Sequence, residues 1–171
     1  MKVIFTILVF LSLAIGLSCQ TRETNRLTTQ EFEIYKTILG DRPKETVVIN
    51  ESMAGIFGEI AAGGLKQILS ELQNDTFDNF IKMNASRTKI EGNLQTGFEY
   101  PITTKADFEK KNLKPSGYYA FSRVGFSDDG RQAVLIFIDV CEPLCSKGKY
   151  FLLANKNGFW EIAQESESWR S

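Results

Sequence analysis

The run Ala133 to Val140, A-V-L-I-F-I-D-V, constrains this chain more than any other stretch. It is nearly unbroken in apolar residues, bounded by turn signals and too short for a typical helix. It predicts a central strand buried on both faces. Its neighbours in sequence read as strands too. Tyr118 to Ser127 is rich in aromatic and β-branched residues, which suit a pleated, half-buried surface. Asp128-Asp129-Gly130 then supplies turn chemistry, because Asp bonds its own backbone and Gly tolerates a positive φ. Lys149 to Ala154 is a third strand, Asn157-Gly158 is a strong hairpin signal, and Phe159 to Ala163 is a fourth strand. Turns this short predict antiparallel neighbours, hence a meander.

The segments ahead of these strands are mainly helical. Thr28-Thr29-Gln30-Glu31 is a capping-box pattern, Phe32, Tyr35, Ile38 and Leu39 recur at helical spacing, and Gly40 stops the helix. Thr46 to Asn50 is a short β-branched run and a predicted strand. Ala61, Leu65, Ile68, Leu69 and Leu72 share one face of a second helix. Its ordered part is expected from Leu65, since each glycine of Gly63-Gly64 costs about 1 kcal/mol relative to Ala. A third helix is capped at Asp75 and runs to about Asn84, and 105–112 can form a short fourth. Ser86 to Thr104 reads as short edge strands or an extended loop. Helices followed by strands predict an α+β fold, with N-terminal helices packed on one face of a C-terminal antiparallel β-meander. Residues 28–171 are read as a single domain.

The first residues read differently. Lys2, the apolar stretch Val3 to Leu11 and the small-residue exit to Ser18 form the pattern of a secretory signal peptide, residues 1–18. Cys19 then stands first in the mature chain. A cysteine there resembles the lipidated position of bacterial lipoproteins, although Leu17 occupies a site where a small residue is preferred. Two outcomes stay open: a lipid anchor on Cys19, or ordinary cleavage that releases a soluble protein. Residues 19–27 serve as a polar tether in either case. The expected location is extracytoplasmic, as a periplasmic or outer-envelope lipoprotein or as a secreted protein. Cys141 and Cys145 remain as a close pair around Glu142-Pro143-Leu144, which in an oxidising space predicts a disulfide.

Composition narrows the chemistry. The chain has no histidine, which excludes Ser-His-Asp and Cys-His catalysis and the usual His-bearing zinc sites. A net charge of -1 gives no electrostatic case for nucleic acid or an anionic membrane surface. Membrane association is expected only through the leader or a lipid anchor, and no cofactor or metal is expected.

A few residues stand out against that background. Asp139 lies inside an apolar run, where a carboxylate needs a partner, and Glu142 and Glu161 also lie in or near the predicted core strands. Asp139 and Glu142 are weak candidates for acid and base in glycoside-type hydrolysis. The plainer reading places Asp139 at a solvent-facing strand end and Glu161 outward. Arg123 is a candidate anion ligand, or the cross-strand partner of Asp139. Tyr118, Tyr119, Trp160 and Trp169 form a candidate stacking platform for a sugar or a partner, although most such aromatics belong to a core. Tyr119 and Trp169 are retained as binding candidates, with Trp169 in a polar tail. Asn50, Asn74 and Asn84 open Asn-x-Ser/Thr patterns.

Ser122–Phe126, Gln132-Ala133, Cys141–Cys145, the G-K-Y-F-L-L of 148–153 and the K-N-G-F-W-E-I of 156–162 together resemble a group of exported bacterial proteins with no assigned activity. The likeness covers the C-terminal third. It implies a bacterial source, an envelope location and the disulfide, and it carries over no catalytic residue. Helices followed by a meander ending in K-N-G-x-W-x-I also look like the NTF2-like α+β cone, at the level of fold alone. The expected function is an exported, non-enzymatic module that binds an envelope or extracellular protein or a small ligand. The alternative is a carboxylate-dependent hydrolase acting on cell-envelope polymers.

Overall fold

The computed structural model describes residues 27–40, 42–43, 46–49, 51–52, 60–90, 100–110, 117–141 and 145–170. Among these are four helices: α1 (Thr29–Leu39), α2 (Ile60–Ile68), α3 (Asn74–Met83) and α4 (Lys105–Lys110). Seven strands accompany them: β1 (Val47–Ile49), β2 (Ile102–Thr103), β3 (Tyr118–Phe121), β4 (Gly125–Phe126), β5 (Gln132–Val140), β6 (Lys147–Lys156) and β7 (Phe159–Arg170). All seven strands form one sheet in the order β2-β1-β3-β5-β6-β7, with β4 also paired to β5. The class is α+β, as the sequence predicts.

Two features depart from the predicted meander. The sheet is mixed, since β1 runs parallel to both β2 and β3. The antiparallel part, β3 to β7, matches the predicted order of strands. The helices also cover both faces of the sheet. Ala133, Leu135 and Phe137 of β5 join a cluster with Phe32, Tyr35, Ile38 and Leu39 of α1. Val134, Ile136 and Ile138 join a second cluster with Leu65 and Leu69 around α2 and Phe77 and Phe80 of α3. The physical reason lies in β5 itself. Alternate side chains leave a strand on opposite faces, so a run apolar at every position needs an apolar layer on each side.

The local expectations fare unevenly. α1 begins on the predicted capping box, with Thr28 Oγ1 accepting from the Glu31 N–H and Glu31 Oε2 accepting from the Thr28 N–H. The β6–β7 hairpin turns at Asn157 and Gly158, both at positive φ. α2 starts at Ile60 and passes through Gly63 and Gly64, so tertiary packing outweighs their poor helix propensity. Residue Gln73 caps α3 without a side-chain bond. Asp75, the predicted cap, accepts from the N–H groups of Thr76 and Asp128 and ties α3 to the β4–β5 turn. β7 extends to Arg170, well past the predicted end at Ala163.

The predicted strand 118–127 is broken, and the break positions the central polar group of the protein. Phe121 stands opposite Phe137, and Gly125 opposite Val134. Three residues, 122–124, therefore face two, 135–136: a one-residue β-bulge. Arg123 and Val124 then turn to the same face, toward α1. Gly125 follows on the opposite face against Phe80, whose backbone lies where a Cβ would sit. Only glycine permits so close an approach of α3 to the sheet.

Candidate functional site

The bulge frees backbone groups that a strand would have paired, and buried side chains take them up. Asn84 Oδ1 accepts from the Arg123 N–H at 2.8 Å, while its Nδ2 donates to the Arg123 carbonyl at 3.0 Å. Ser122 Oγ accepts from the Ile136 N–H and donates to the Arg123 carbonyl. The Tyr35 hydroxyl donates to the Ser122 carbonyl at 2.8 Å. Burial pushes the Tyr35 phenol well above its ordinary pKa, the Glu31 charge pushes the same way, and Arg123 pulls it down.

Arg123 itself reaches Glu31, 92 residues away in sequence. Nε donates to Oε1 at 2.6 Å and Nη2 to Oε2 at 3.0 Å, a two-pronged pair. Nη1 donates to Thr88 Oγ1. The Glu31 carboxylate also accepts from the backbone N–H groups of Thr28 and Val124. The side chains are 4% and 1% exposed. Arg123 is thus paired with Glu31 and not with Asp139, a correction with a plain cause: the bulge turns its side chain toward the end of α1. A cavity of about 220 Å³ adjoins this end, lined by Thr28, Glu31, Asn79, Lys82 and Phe126 among others.

Asp139 lies at the other end of the same face. On β5 it stands opposite Tyr119 of β3 and Lys147 of β6. Arg42, just past α1, approaches it with Nη1 3.8 Å from Oδ2. The Arg42 guanidinium carbon sits 4.9 Å above the centre of the Phe137 ring, and Nε donates to the Ile38 carbonyl at 3.4 Å. Lys149, opposite Phe137, bonds Glu165 at 3.1 Å. Arg42, Phe137, Asp139, Lys147 and Lys149 line a half-open cavity of about 150 Å³. Among the described residues its charged lining is three cations and one carboxylate.

The remaining sequence candidates divide clearly. Tyr119 is buried and packs in the α1-face core against Tyr100 and Phe137. Trp160 is half-buried against Phe126. Trp169 belongs to β7, opposite Gly148, instead of a polar tail. Cys141 and Cys145 lie with their sulfur atoms at disulfide distance and their Cα atoms 5.2 Å apart. Asn84 is buried and hydrogen-bonded, which removes one Asn-x-Ser pattern from the folded surface. Glu142, Cys19 and residues 1–18 lie outside the described residues.

Sequence reasoning missed Arg42, Lys147 and Lys149. The signal for the lysines was their spacing: two apart on one strand, they share a face. Among the described residues no group of three or more His, Cys, Asp or Glu can hold a metal, and no helix is long and apolar enough to cross a membrane. No family model, no curated protein and no solved structure matches this chain.

Proposed function

We propose that this chain is an exported, non-enzymatic domain that binds a protein or small ligand of the cell envelope or extracellular space. In this reading residues 1–18 direct export and residues 19–27 tether the domain, either to a lipid on Cys19 or as the free start of a soluble protein. The leader pattern, the close Cys141–Cys145 pair and the C-terminal resemblance to exported bacterial proteins support it. The observation that supports binding over hydrolysis is the mainly cationic described lining of the cavity beside Asp139. Hydrolysis of a glycosidic bond needs two carboxylates flanking the scissile bond. Among the described residues lining this cavity Asp139 is the one carboxylate, set among Arg42, Lys147 and Lys149.

Intact mass of the protein from its native host, with and without reductant, tests the exported half of the proposal. A chain lacking residues 1–18, with or without an acyl group on Cys19, and gaining two mass units on reduction is the expected result. A full-length reduced chain overturns it. Asp139→Asn tests the other half. Loss of a measurable hydrolysis of envelope polymers in that variant, with the fold intact, overturns the binding reading.

A further inference from the structure

The cavity at the Asp139 end of the sheet has the charges and dimensions of a site for one anionic group. The Arg42 guanidinium is held on two sides, by the Phe137 ring beneath it and the Ile38 carbonyl at Nε. Its Nη1 stays 3.8 Å from Asp139, beyond hydrogen-bond reach. The Lys147 side chain has no ion pair or hydrogen bond among the described residues, and Lys149 is tied to Glu165. Lys147 and Lys149 are two apart on β6, opposite Asp139 and Phe137 of β5. Three cations thus converge on the cavity, and among the described residues Asp139 approaches Arg42 and Glu165 bonds Lys149. The described lining of the cavity itself carries three cations and one carboxylate, and Glu167 of β7 stands opposite Lys149.

Among the described residues Lys149 has a carboxylate at hydrogen-bond distance, Glu165, while Arg42 has Asp139 only at 3.8 Å. Like charges held together cost free energy in the empty site, and an anion lowers that cost. The alternative, a solvated face, would leave Arg42 free. Here it is packed over an aromatic ring, beside a cavity of about 150 Å³.

We infer that Arg42, Lys147 and Lys149 form a binding site for an oxyanion group, a carboxylate or a phosphate, at the Asp139 end of the α1 face. The guanidinium edge takes two oxygens, Lys147 supplies the movable second cation, and Asp139 limits affinity by competing for both. The inference rests on the binding reading above and names the ligand chemistry for that cavity.

The full mature chain, isotopically labelled, is titrated with sodium phosphate and separately with sodium acetate at constant ionic strength, following backbone amide shifts. Saturable shifts centred on Arg42, Asp139 and Lys147 are expected. Lys147→Ala weakens the affinity about ten-fold, the size of one charge-assisted contact. Asp139→Asn tightens it several-fold. Lys66→Ala, on the opposite face of the sheet, leaves it unchanged. Arg42→Lys, which keeps the charge but loses the fork, weakens it even if a shorter side chain disturbs the loop. Saturation by phosphate alone assigns a phosphoryl group, and saturation by both anions assigns a general oxyanion site. No saturation with either anion overturns the inference, as does equal weakening by Lys66→Ala and Lys147→Ala. Neither result touches the hydrolysis assay, so failure of this site and failure of the binding reading remain distinguishable.

Discussion

Two arginine–carboxylate pairs lie on the α1 face of one sheet, and they differ in almost every physical respect. Glu31 and Arg123 meet at 2.6 Å with side chains 1% and 4% exposed. Arg42 and Asp139 stand 3.8 Å apart and are each about one-third exposed. The first pair is out of water, so its charges gain from each other only because backbone and side-chain groups share the remaining bonds. The second keeps part of its hydration and leaves its hydrogen-bonding capacity open to a third party. Identical chemistry therefore serves cohesion at one end of the face and exchange at the other.

Removing one partner separates the two most sharply. Arg123→Ala leaves the Glu31 carboxylate buried without its cation and is expected to cost about 3–5 kcal/mol in a urea unfolding curve. Glu31→Leu combined with Arg123→Met restores most of that loss, because two well-packed apolar groups strand no charge. A double variant no more stable than Arg123→Ala would show that the bulge needs the ion pair for its shape.

The disulfide bears on the open end, where Cys141 and Cys145 close the connection between Asp139 and Lys147. Cys141→Ala with Cys145→Ala is expected to cost about 2 kcal/mol, from the chain entropy of so small a loop. It should also weaken any anion bound at Lys147 while leaving the Arg123 end intact. Alkaline pH probes the closed end. The Tyr35 phenol has its pKa raised by burial and by Glu31, so the folded protein keeps a proton that the unfolded chain loses above about pH 10. Its contribution is fully present below that pH and fades as pH rises, by about 1.4 kcal/mol per unit. Tyr35→Phe should remove that dependence, at a fixed cost of about 1 kcal/mol for the lost bond to Ser122. Smallest of all, Arg42→Ala and Asp139→Ala should each change stability by less than about 1 kcal/mol, and less still in high salt.

What the sequence discloses follows the range of the interaction. The β5 run, the Asn157-Gly158 hairpin and the Thr28–Glu31 capping box are local patterns, and each forms where it is predicted. The capping box also shows where local reading stops. Glu31 is recognisable as the reciprocal cap, yet the same carboxylate pairs with Arg123, and no spacing links the two. Arg123 reads as an anion ligand or the cross-strand partner of Asp139 because a regular strand pairs it so; the bulge at 122–124 alters its direction. β1 joins the sheet by parallel pairing to β2 and β3, whose partners are distant in sequence and leave no periodic trace. The unbroken apolar run in β5 did contain the two-sided packing, and one-faced helices contradict it.

The long reach from Glu31 to Arg123 has a consequence for timing. A chain made N-terminus first completes α1 long before residue 123 exists, and even longer before β5 and β6 can back it. α1 must wait in water with its apolar stripe uncovered. The β5–β6–β7 ribbon joins neighbours in sequence and can close early, since short loops carry little entropy cost. The first of the described helices to be synthesised is thus among the last to find its partner, and until Arg123 is made the Glu31 carboxylate stays hydrated. Glu31 belongs to the waiting state as much as to the finished one.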